Sequence, residues 1–127
     1  MATVLWQSEI TFVGEDAPDL LEAGVMILFG EPVPDALAEV SVVHKLGGAA
    51  AVSAASEVAP GDEVRLGAEV FTIDEVGDVA NRNLADLGHI VVYVNNPDQP
   101  LLPGALKAHG ADIKTPAIGQ TVALIRP

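Results

Sequence analysis

The sequence predicts a mainly β protein, a small single-domain β-barrel-like fold over residues 1–127 with one or two short helices. Three observations predict it. Apolar and polar residues alternate over short segments, 12 glycines and 9 prolines punctuate them, and only two stretches carry a helical pattern. Half of the 127 residues are hydrophobic while 4% are aromatic, so the core is built mainly of Val, Leu, Ile and Ala. A chain of this length buries a real core, and its hydrophobicity excludes disorder.

Along Thr3 to Val13, Val4, Trp6, Ile10 and Phe12 face one way while Gln7, Glu9 and Thr11 face the other, the period of a half-buried strand. In "GEDAPDLLEAG", Asp16 is an N-cap, Pro18 sits in the first turn and Gly24 stops a short helix. "VMILF" (Val25 to Phe29) is a buried strand, and "GEPVPDALAE" is a loop with one helical turn from Pro34. In "AEVSVVHKLGG", Ala38, Val40, Val42, His44 and Leu46 share a face, and Gly47-Gly48 ends the strand.

"AAAVSAASEVAPGDEV" permits helix through its alanines and ends in the turn Pro60-Gly61-Asp62. "EVRLG" and "AEVFTIDEVG" form a hairpin with Gly67 near its turn. Asp78 opens the clearest helix, "DVANRNLADLG", where Ala80, Leu84 and Leu87 fall on one face and Gly88 is the stop. "HIVVYV" follows as a strand, "NNPDQPLLPG" connects, and "ALKAH" and "TVALIRP" are the last two strands. "APGDEVRL" and "PAIGQTVALI" look alike, each a Gly turn feeding a Val-x-Leu strand, but one such pair does not establish a repeat.

The formal charge of −12, from 18 acidic and 6 basic residues, repels phosphate backbones and anionic lipid. Nucleic acid and membrane surfaces are therefore poor partners, and the charge either steers toward a basic protein face or only maintains solubility. Cysteine is absent, which excludes disulfides, thiolate metal sites and cysteine nucleophiles. The segment "MATVLWQSEITF" has neither a basic n-region nor a long apolar run, so a cytoplasmic protein without direct membrane insertion is expected.

No G-x-S-x-G, Walker or G-x-G-x-x-G motif appears, and Ser8, Ser41, Ser53 and Ser56 lack a distinctive setting. Nothing singles out a carboxylate pair for glycoside chemistry. His44, His89 and His109 are not at metal-ligand spacing, and no metal or cofactor is expected. His44 stands out because it interrupts an apolar row. Two readings apply: a core histidine satisfied through a ring nitrogen, or a nucleophile. An imidazole titrates near 6.5, and an apolar wall disfavours its charged form, keeping a lone pair available.

"MILFGEPVPDALAEVSVVH", "APGDEVRLG" and "FTIDEVGDVANRNLADLGHIVVYV" together resemble the glucitol/sorbitol-specific IIA component of the bacterial phosphotransferase system. The similarity runs from the first strand to about Val94 and more loosely through "LLPG" to the C-terminus. Its most specific pieces are the "VVH" strand and the run V-G-x-V-A-x-x-N-L-x-x-L-G-H. The resemblance implies a mostly β, barrel-like fold and a phosphotransferase role. The phosphocarrier HPr would phosphorylate His44, and the group would pass to a cysteine of IIB during sugar-alcohol uptake through IIB and IIC.

On that reading, phosphorylation is expected on Nε2 with Nδ1 held by a hydrogen bond. Backbone N–H groups near Gly47 and Gly48, and His89 as a possible phosphate contact, would hold the phosphoryl oxygens. His89 has a second reading as a helix-terminus cap, and His109 is a surface residue. Some relatives carry a second histidine where this chain has Leu46. The relay needs the His44 ring open to an approaching donor. Its rivals are a binding or regulatory module on the same barrel, and a metal-assisted enzyme using His44, His89 and acidic groups. A homodimer through an exposed sheet edge is also open.

Overall fold

Segments that each bury a single face must close on one another, and here they close completely. The computed structural model describes residues 2–45 and 57–127. Its strands are β1 (Thr3–Val13), β2 (Val25–Gly30), β3 (Val42–His44), β4 (Glu63–Leu66), β5 (Glu69–Val76), β6 (Ile90–Val94), β7 (Ala105–Gly110) and β8 (Thr121–Arg126). Three short helices, α1 (Ala17–Glu22), α2 (Asp35–Ala38) and α3 (Ala80–Leu87), join them. The strands form a closed barrel in the order β1-β3-β2-β6-β7-β5-β4-β8. Pairs β2·β3 and β6·β7 are parallel, and the other ladders are antiparallel.

The interior is the Val/Leu/Ile filling expected of a chain so poor in aromatics, with Ile10, Met26, Leu28, Ile73, Ile90, Leu106 and Leu124 around Phe71. The α1 helix buries Ala17 and Leu21, and α3 buries Ala80 and Leu84. Because the ladder closes, these strands have no free edge, and edge-to-edge pairing loses its basis as a route to a homodimer.

Several local expectations change. Ladder irregularities between Val4 and Trp6 and between Ile10 and Phe12 each shift the alternation in β1. Val4 and Phe12 are thereby turned outward, while Trp6, Ser8 and Ile10 point in. The β3 strand is only Val42–His44, because α2 takes Asp35–Ala38 out of the extended run. Val79 rather than Asp78 is the N-cap of α3, and Leu87 is exposed at its last position. Leu46, Gly47, Gly48 and the alanine-rich stretch fall within 46–56, outside the described residues.

The barrel is built twice over from one pattern. In the first half β3 lies between β1 and β2, and in the second β7 lies between β5 and β6. The registers match residue for residue. Ile10 pairs with His44 as Ile73 pairs with Ala108, and Val13 with Val42 as Val76 with Leu106. The irregularity between Ile10 and Phe12 has its counterpart between Ile73 and Glu75. The β2·β6 ladder is symmetric about Ile27 and Val91, so a pseudo-two-fold axis passes there.

The similar phrases "APGDEVRL" and "PAIGQTVALI" belong to the same relation. Gly61 and Gly119 both have φ +96, and each leads into β4 or β8. The Ile73 N–H donates to Asp62 O as the Ile10 N–H donates to Gln120 O, at 2.8 and 2.9 Å. At the start of each helix unit stands a glycine with no room for a side chain. A Cβ on Gly14 would strike the Ala38 and Glu39 carbonyls, and one on Gly77 those of Leu102 and Pro103.

Since both contacts are with backbone, Gly14→Ala and Gly77→Ala are each expected to destabilise the fold by about 2–3 kcal/mol. Urea midpoints of the two variants should fall by similar amounts, as the matched environments require.

Candidate functional site

His44 ends β3, between Ile10 of β1 and Gly30 of β2. Its ring is buried at 1% exposure, with an edge-on contact to Trp6 at 5.0 Å and 90°. Such a contact adds roughly 0.5–1.5 kcal/mol between aromatic rings. Nδ1 lies 3.0 Å from Ser8 Oγ and 3.3 Å from the Lys45 carbonyl. Nε2 lies 2.6 Å from the Gly88 carbonyl. The Ser8 hydroxyl is 2.6 Å from that same Lys45 carbonyl.

The open imidazole expected from the sequence is therefore not what the fold holds. The ring is enclosed, and the nitrogen expected to be unblocked faces a carbonyl. The cause is tertiary: closure puts the end of β3 under the turn that joins α3 to β6. Gly88 makes that turn with φ +63, and a Cβ there would stand 2.7 Å from His44 Cε1. Glycine is thus required twice, for the left-handed backbone and for the ring beside it.

Burial pushes the His44 pKa below the ordinary imidazole value; the Gly88 and Lys45 carbonyls and the Glu31 carboxylate oppose the shift without cancelling it. The neutral ring, with one lone pair, is favoured at neutral pH.

His89 follows Gly88 and is half-buried. Its backbone N–H reaches Asn83 O at 3.3 Å, closing α3. The ring turns away to β2, where Nδ1 donates to Leu28 O at 3.0 Å and the plane tilts over Phe29 at 4.5 Å. A single turn therefore brings the Gly88 carbonyl to His44 and the His89 ring to β2.

His109 is exposed, as expected, and pairs with Asp74 at 2.9 Å. It borders a cleft of about 450 Å³ with Glu75, Asn95 and Lys107, in the half of the barrel that lacks the buried imidazole. Ala108 occupies there the register position of His44, and Phe71 that of Ser8. Among the described residues no three His, Asp or Glu side chains gather as a metal-ligand group.

Ser8, Gly88 and Trp6 are the neighbours that residue-type motifs passed over. Ser8 had a signal of its own, since it shares parity with Trp6 and Ile10 as a hydroxyl in an inward-facing row.

The depressed His44 pKa has a definite consequence for stability. The unfolded ring, titrating near 6.5, takes up its proton first as pH falls. The contribution of this group is present above that pH and is lost below it, at up to about 1.4 kcal/mol per unit. Urea titrations between pH 8 and 5 should show this loss, and His44→Gln should flatten it.

Comparison with known proteins adds the following. The family model for the PTS system glucitol/sorbitol-specific IIA component matches residues 5–123. Proteins named PTS system glucitol/sorbitol-specific EIIA component, from Shigella flexneri and Escherichia coli (strain K12), are each 31% identical over 108 residues. That span is 85% of this chain and 84% of each relative. The crystal structure of a PTS system IIA component from Enterococcus faecalis V583 superposes with a TM-score of 0.72 at 25% identity, covering 91% of this chain and 96% of that one.

Proposed function

The chain belongs to the PTS glucitol/sorbitol-specific IIA component family, which serves phosphotransfer in sugar uptake, and from that premise we propose that His44 is the phosphoryl acceptor. The donor is phosphorylated HPr, and the group passes on to the IIB component and so to a sugar alcohol entering through IIC. The observation that carries this reading is the family match across residues 5–123, a span that includes the V-V-H strand ending in the buried imidazole.

The chemistry asks little covalent work of the protein. Phosphoryl transfer passes through a loose, in-line transition state whose charge spreads over the equatorial oxygens. The domain must present a lone pair, exclude water and place donors around those oxygens. The depressed pKa of His44 supplies the neutral ring, and the enclosure supplies the dryness. Access requires the Gly88 carbonyl to step back from Nε2.

His89 lies on that same turn. Its Nδ1–H is committed to Leu28 O, so donation to phosphate falls to Nε2, and both nitrogens donate only in the cation. The acidic surface, with its formal charge of −12, receives a basic docking face on HPr. The relay operates in the cytoplasm; no helix among the described residues is long and apolar enough to cross a membrane.

The burial of the ring supports a second reading, a binding or regulatory module in which His44 only ties the barrel together. Incubation with phosphorylated HPr separates the two. The relay reading expects an acid-labile, alkali-stable phosphate on His44, absent from His44→Ala, with a change in fluorescence of the single tryptophan, Trp6, beside the ring. An unlabelled parent would leave the binding module standing, and a His44→Ala variant labelled as well as the parent would move the acceptor to another residue. His89→Ala should slow transfer about tenfold to a hundredfold at intact folding, the value of a lost charge-assisted hydrogen bond of about 1.5–3 kcal/mol.

A further inference from the structure

We infer that Ser8 is a positioning residue for phosphoryl transfer, its hydroxyl setting which nitrogen of His44 carries the proton and hence whether Nε2 is masked or nucleophilic. The inference rests on the reading that His44 is the acceptor.

Ser8 is buried at 6% exposure, with Oγ 2.6 Å from the Lys45 carbonyl and 3.0 Å from His44 Nδ1. A carbonyl oxygen only accepts, and a hydroxyl has one proton to give. The Ser8 O–H therefore points either to Nδ1 or to Lys45 O. When it donates to Nδ1, that lone pair is occupied and the ring proton sits on Nε2. The Nε2–H then donates to Gly88 O across 2.6 Å, and the acceptor nitrogen is masked.

When the hydroxyl turns to Lys45 O, the Ser8 oxygen accepts from Nδ1–H instead. Nε2 now holds the lone pair and faces another acceptor, the Gly88 carbonyl, at a separation where two acceptors repel. The turn at Gly88 loses its hold, and the nucleophile is uncovered. Rotation of one hydroxyl thus couples the tautomer of the ring to the opening of the site.

The same geometry suits the transfer itself. The Nε2 lone pair forms the new P–N bond as the P–N bond to the donor imidazolium breaks. The donor ring, a phosphohistidine protonated on its other nitrogen, keeps the electron pair of the broken bond and leaves neutral. His44 becomes the phosphoimidazolium, its Nδ1 proton staying in place and donating to Ser8 Oγ while the Ser8 hydroxyl donates to Lys45 O. No proton has to leave the pocket.

The pseudo-symmetry gives an independent indication. Where the second half has Ala108 in place of the imidazole, it has Phe71 in place of Ser8, so hydroxyl and ring occur together or not at all.

The test pairs ¹⁵N NMR of the His44 ring with single-turnover labelling by phosphorylated HPr. The parent ring should exchange between the Nε2–H and Nδ1–H tautomers, and in Ser8→Ala only the Nε2–H tautomer should remain. The transfer rate at saturating HPr should fall about tenfold or more, with half-saturation by HPr unchanged. Ser8→Thr, which keeps a hydroxyl, should stay within about threefold of the parent. A folded Ser8→Ala at the parent's rate, or a Ser8→Thr as slow as Ser8→Ala, overturns the role of Ser8 while labelling of the parent leaves His44 as the acceptor. An unlabelled parent overturns the acceptor reading and this inference with it.

Discussion

A buried imidazole has two nitrogens to satisfy at once, and much of what surrounds His44 answers that demand. Leaving either unpaired would cost roughly 1–3 kcal/mol. Nδ1 is met by Ser8 from the neighbouring strand and by the Lys45 carbonyl, and Nε2 by Gly88 from a turn forty-four residues further along the chain. The ring thereby joins β1, β3 and the α3–β6 turn. Only a glycine at position 88 lets the carbonyl come so near.

In the proposed relay, that arrangement makes structure and reactivity compete for the same lone pair. The contacts that hold the ring in place also cover the nitrogens a phosphoryl group would need. Burial resolves part of the conflict by disfavouring the cation, so the ring keeps a lone pair at neutral pH. The rest is left to the turn at Gly88, which carries both the covering carbonyl and, one residue on, His89.

The pseudo-two-fold barrel shows how a symmetric frame carries an asymmetric site. Ladder registers, the β1 and β5 irregularities and the glycines before α1 and α3 recur in both halves. What differs is the content of a few inward positions. His44 and Ser8 have Ala108 and Phe71 as counterparts, so one half holds a buried polar pair where the other holds apolar packing. The exposed His109–Asp74 pair and its cleft belong to the second half and have no share in the buried imidazole.

By itself the sequence determined the class of fold, the placing of most strands and the family resemblance that singles out His44. Alternation and turn residues are local properties, and the "VVH" and "VGDVANRNLADLGH" runs are contiguous, so both are legible without coordinates. The repeat was nearly so, through "APGDEVRL" and "PAIGQTVALI", but its halves share backbone geometry far more than side chains. The tertiary structure alone decided that the His44 ring is enclosed, that Ser8 and Gly88 hold it, and that Val4, Phe12 and Leu87 turn outward. Those outcomes depend on bulges, on closure of the ladder and on partners distant in sequence, none of which leaves a periodic mark on a single segment.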